Sequence, residues 1–78
     1  MNQQTKATRA AYTRAFHAGM IAALAVVHLY DERTLFDEIM GTVDEAELVA
    51  VARQTGSMRW SGLTRYGYGK KYPARKSR

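Results

Sequence analysis

The sequence predicts a small all-α protein: a three-helix cluster with a basic, hairpin-containing C-terminal arm, expected to dimerise. Three observations predict it. Residues 5–30 contain neither proline nor a turn cluster and are rich in Ala, Met, Leu and Arg, all compatible with helix. Two short apolar runs follow, each opened by a capping residue and closed by a glycine, Gly41 and Gly56. From Ser57 onward, Gly62, Gly67, Gly69 and Pro73 interrupt any helical pattern. The expected division is a helical domain, 1–56, and a basic aromatic arm, 57–78.

The first helix is expected over 5–30. Tyr12, Phe16, Met20, Ala23, Val27 and Tyr30 recur at spacings of four and three and define one apolar stripe. Ala15, Ala18, Gly19, Ala22 and Ala25 define a second stripe of small residues on which another helix can pack closely. Between 18 and 27 the helix is apolar on nearly all sides, more than so short a chain can cover, so the small residues are the expected homodimer interface.

A second helix should begin at Thr34, whose hydroxyl can cap it with Asp37 three residues on, and end by Gly41. Leu35, Phe36, Ile39 and Met40 form its buried face. The third starts with Thr42 or Asp44 as cap and Glu45 or Glu47 in the first turn, where carboxylates favour the helix dipole. Val43, Leu48, Val51 and Ala52 should face inward. In the arm, Met58-Arg59-Trp60 and Leu63-Thr64-Arg65-Tyr66 can flank a Ser61-Gly62 turn as a small hairpin, with Trp60 and Leu63 sealing the core. Gly67 to Arg78 reads as extended.

Seventy-eight residues leave little room for a core, and a domain of this size buries only ~60% of its unfolded-chain surface. The absence of cysteine removes disulfides and thiolate metal sites and fits a reducing cytoplasm, the expected location. Oligomerisation or partner binding is the expected source of added stability. The uncharged run 15–30 reaches roughly 24 Å as a helix, short of a ~30 Å hydrocarbon core, and His17 and His28 interrupt its ends, so no membrane partner is expected. Lys6, Arg9 and Arg14 before an apolar stretch resemble a signal peptide, but that stretch leads into His28-Leu29-Tyr30-Asp31 rather than a small-residue cleavage site.

Charge is sorted along the chain. All seven carboxylates lie between Asp31 and Glu47, whereas residues 57–78 contain seven basic side chains and no acid. Arg59, Arg65, Lys70, Lys71, Arg75, Lys76 and Arg78 can neutralise phosphates, and Tyr66, Tyr68 and Tyr72 can stack on unpaired bases. Arg59, Arg65, Tyr66, Tyr68, Lys70, Lys71, Tyr72 and Arg75 are thus the candidate contacts for nucleic acid or another anionic partner. The bland alternative is a solubilising tail.

Other chemistries are poorly served. A helix-turn-helix over 35–54 would place Asp44, Glu45 and Glu47 where a recognition helix meets phosphates. His17 and His28 share a helix face but stand roughly 16 Å apart, and His28, Asp31 and Glu32 have a spacing that ordinary surface pairs also produce. No phosphate loop or nucleophile motif is present. The expectation is a non-enzyme with no cofactor and no metal. In small size, lack of cysteine and segregated charge, the chain resembles the compact accessory proteins of bacteriophages, including anti-CRISPR inhibitors and other host-takeover factors. That resemblance implies a second function: a stoichiometric inhibitor occupying a host protein complex through the acidic patch 31–47 and the helix faces.

Overall fold

A computed structural model describes residues 3–74, with side chains from Thr8 to Ala74. Among these residues there are four helices and no strand: α1 (Gln3–Leu29), α2 (Arg33–Met40), α3 (Glu45–Gln54) and a single turn, α4 (Tyr68–Lys71). At 27 residues α1 is about 40 Å long and sets the 44 Å long dimension of the molecule. It packs against both α2 and α3.

Those partners are short, 8 and 10 residues, so they cover only one side of part of α1. The covered side is His17, Ile21 and Leu24, one face at helical spacing. This differs from the large-residue stripe of the sequence reading: Tyr12, Phe16 and Tyr30 are exposed, and Met20 and Val27 only border the core. His17 is tolerated in the buried row because its Nδ1–H donates to the Thr13 carbonyl oxygen at 2.9 Å. Over Thr8–Leu29 α1 is long and apolar enough, by length and composition, to cross a membrane, with a mean hydropathy of 1.3.

Three chain reversals share one geometry. After α1, α3 and the turns 62–66, a left-handed residue (Asp31, φ 56°; Gly56, φ 69°; Gly67, φ 89°) sits one place before an amide that reaches back five residues to a carbonyl. The bonds are Glu32 to Val27, Ser57 to Ala52, and Tyr68 to Leu63, and in each case the left-handed residue's own amide bonds three residues back. This Schellman arrangement satisfies the helix-end carbonyls and turns the chain sharply, which glycine permits without strain and aspartate tolerates better than most residues.

α2 starts at Arg33, with Glu32 rather than Thr34 in its cap position, two residues earlier than expected, and with no side-chain cap bond. Phe36 and Met40 are fully buried, but Leu35 is exposed. The expected cap of α3 is present: Asp44 Oδ1 accepts from the Glu47 amide at 3.1 Å. Leu48, Val51 and Ala52 face inward as expected; Val49 joins them, while Val43 only borders the core.

The largest departure lies after Ser57. In place of a hairpin and an extended arm, residues 57–67 form successive turns and Tyr68–Lys71 a helical turn, all folded back on the helices. Leu63, Tyr66 and Tyr68 complete the core formed by Ile21, Leu24, Phe36, Met40, Leu48, Val49, Val51 and Ala52. The Val, Leu, Ile, Phe and Met side chains among them contribute roughly 1.5–3 kcal/mol each when fully buried. Leu63 seals the core as expected, but Trp60 does not and is 53% exposed. Gly62 sets how closely the segment can approach α1. An added Cβ there would lie 2.8 Å from both Cβ and Cγ of His28.

Candidate functional site

The C-terminal segment meets the acidic stretch in register. Tyr66 Oη donates to Asp31 Oδ1 at 2.9 Å, Tyr68 Oη to Asp37 Oδ1 at 2.7 Å, and Tyr72 Oη to Glu45 Oε1 at 2.7 Å. The three carboxylates belong to the α1–α2 turn, to α2 and to the first turn of α3, so one run of tyrosines ties three parts of the helical cluster together. Cations reinforce each rung: Arg65 pairs with Asp31 at 3.1 Å, Arg33 with Asp37 at 3.5 Å and Lys71 with Glu45 at 3.0 Å. At the far end of α3, Arg53 donates to the carbonyl oxygens of Gly69 and Tyr72 and fixes the α4 turn.

The rings are locked as well as the hydroxyls. Phe36 packs edge-on to Tyr66 with centroids 4.7 Å apart and lies 5.8 Å from Tyr68, while His28 meets Tyr66 edge-on at 5.8 Å. The Arg33 and Arg65 guanidinium groups flank the Tyr66 ring at 5.5 and 5.6 Å. Burial, followed by the bond to the carboxylate, pushes the Tyr66 and Tyr68 hydroxyls above their ordinary range. The Glu45 bond, followed by burial, does the same for Tyr72. Glu45 is held below the usual carboxylate value by the Tyr72 hydroxyl and then by Lys71, whose ammonium is raised in return.

These contacts revise the expected stacking platform. Tyr66 and Tyr68 are each only 8% exposed, and Tyr72 is half-buried, so their faces are occupied by the chain itself. Arg65 and Lys71 remain partly open while paired with acids. Arg59 and Lys70 are exposed and have no acidic partner among the described residues. Arg75, predicted with them, lies outside the described residues, as do Lys76 and Arg78. Sequence reasoning missed Trp60 as the exposed aromatic beside Arg59. The order Asp31, Asp37, Glu45 against Tyr66, Tyr68, Tyr72 was the available signal for internal pairing.

Of the expected dimer residues, Ala15, Ala18, Gly19 and Ala22 are exposed on α1 and Ala25 is half-buried. Two concavities flank α3. One, about 470 Å³, lies between α3 and the N-terminal half of α1, with Arg9, Arg14 and Glu47 on its walls. The other, about 880 Å³, lies under Lys71, Tyr72 and Pro73, and both share Ala50 and Gln54. No group of three or more metal-ligating side chains gathers among the described residues. Comparison with protein-family models, curated proteins and solved structures finds no match to this chain.

Proposed function

We propose that the chain is a non-enzymatic binding protein that engages nucleic acid or a nucleoprotein complex through the basic surface of its folded C-terminal segment. The observation behind this reading is that Arg59 and Lys70 stand exposed with no acidic partner among the described residues, and that Trp60, next to Arg59 in the chain, is exposed as well. Phosphate contacts then fall to Arg59 and Lys70, with Arg65 and Lys71 adding to the local positive field. Base stacking falls to Trp60, while the tyrosines act as internal struts that shape the surface.

Fluorescence anisotropy of labelled single-stranded and duplex oligonucleotides, at low and near-physiological salt, tests it. Binding should weaken steeply with salt, and Arg59→Ala and Lys70→Ala should each reduce the slope of log K against log salt by roughly 0.7–0.9. Trp60→Ala should weaken single-strand binding with little change in that slope. Absence of binding at low salt refutes the reading.

Docking on a host protein through acidic residues is the second reading. It is favoured by Glu32 and Glu38, exposed acids with no ion pair among the described residues. Charge reversal at these two positions should abolish capture of a basic protein target and leave oligonucleotide binding intact or stronger.

A further inference from the structure

Beyond the contact surface, α1 presents a long seam that the fold leaves uncovered. Tyr12, Phe16, Gly19, Ala23, Val26 and Tyr30 are all exposed and follow one another at spacings of four, three, four, three and four. That is the a/d spacing of a coiled coil, and no charged residue falls on the seam. The exposed portions of Tyr12, Phe16, Val26, Tyr30 and neighbouring Leu29 (77, 54, 54, 76 and 79% of each residue) are far larger than scattered surface apolars require. With ~150–250 Å² for each aromatic, they amount to roughly 700 Å², close to the ~800 Å² per partner of a stable protein interface.

The order of sizes says what covers the seam. Read in either direction from residue 21, it runs small, large, large: Gly19, Phe16, Tyr12 one way and Ala23, Val26, Tyr30 the other. A two-fold axis near residue 21 would set Tyr12 against the partner's Tyr30, Phe16 against the partner's Val26, and Gly19 against the partner's Ala23. This is the self-complementarity that an isologous interface demands. The antiparallel direction also opposes the helix dipoles, which a parallel pair would align.

We propose that α1 is a dimerisation element on which a second copy of this chain packs antiparallel, the helices approaching most closely at Gly19 and Ala23. The interface overlaps the small-residue stripe only at Gly19. Ala18 lies to one side, and half-buried Ala25 turns toward the core.

Sedimentation equilibrium of the full chain from low to high micromolar concentration tests the proposal. The wild type should fit a dimer. Gly19→Leu should be monomeric with unchanged far-UV dichroism, because Gly19 is exposed and a Cβ added there meets no atom within 4 Å inside one protomer. A wild type that stays monomeric across the range overturns the proposal. So does a monomer that co-sediments with phosphatidylcholine vesicles, which would make lipid the occupant, or Gly19→Leu dimerising as well as wild type. None of these outcomes depends on oligonucleotide binding.

Discussion

Adding one methyl group at Gly62 tests whether the C-terminal segment is seated on α1 as described. Gly62 has φ 93°, and the new Cβ would come within 2.8 Å of His28 Cβ and Cγ and 3.0 Å of Nδ1. His28 cannot easily yield, since its ring is held edge-on against Tyr66, itself braced by Phe36 and Asp31. The left-handed backbone costs ~1–2 kcal/mol for alanine, and overpacking adds ~1–3 kcal/mol. Gly56→Ala is the internal control: its φ is 69°, but nothing lies within 4 Å of its added Cβ, so it incurs only the backbone cost. Gly62→Ala should therefore fall below Gly56→Ala by about 1–3 kcal/mol, a Tm difference of roughly 5–20 °C for a domain this size. Thermal and urea melts followed by far-UV dichroism and by fluorescence of Trp60, the only tryptophan, read both helices and segment. Coincident melting of the two variants would refute the close packing of Gly62 on His28.

Tyr68→Phe keeps the ring against Phe36 but removes the bond to Asp37, and should cost about 1 kcal/mol in urea denaturation; no change would mean the hydroxyl is effectively solvated. Phe36→Ala removes a fully buried ring at the junction of α2 and the C-terminal segment and should cost about 3–5 kcal/mol in urea denaturation, enough to unfold a marginal domain. The pH profile should have two limbs. Glu45 is held below its ordinary 4.5, so its contribution is complete above that value and is lost as pH falls through the folded-state value; Tyr72→Phe should shift this acid limb upward. Tyr66, Tyr68 and Tyr72 are raised above 10.0, so their contribution is complete below that value and is lost as pH rises past it; urea midpoints that stay flat between about pH 9 and 11 would contradict the tyrosine–carboxylate ladder.

The helices were legible because their signals are local. A run of helix formers gives α1, the Asp44 cap and Glu47 mark the start of α3, and Gly56 marks its end. The covered face of α1 was not legible. Periodicity finds both the Tyr12-Phe16 row and the His17-Ile21-Leu24 row, and only the lengths and docking of α2 and α3 decide which is buried. The Ser61-Gly62 hairpin failed for a related reason. Glycine in a left-handed conformation serves a helical reversal as readily as a hairpin, and nothing local registers that Leu63, Tyr66 and Tyr68 find a core in Leu24, Phe36 and Met40.

The charge segregation was visible at once, but its first use is internal. A tyrosine hydroxyl is a neutral donor, so it satisfies a carboxylate without requiring a cation at the same place. Asp31, Asp37 and Glu45 each accept such a donor, and only Arg65 and Lys71 of the segment's described cations are drawn into ion pairs with them. Arg59 and Lys70 are left away from the acids, which tetherings made by lysine and arginine alone would have prevented. A segment bound through phenols can thus be fixed to an acidic stretch and still present positive charge outward.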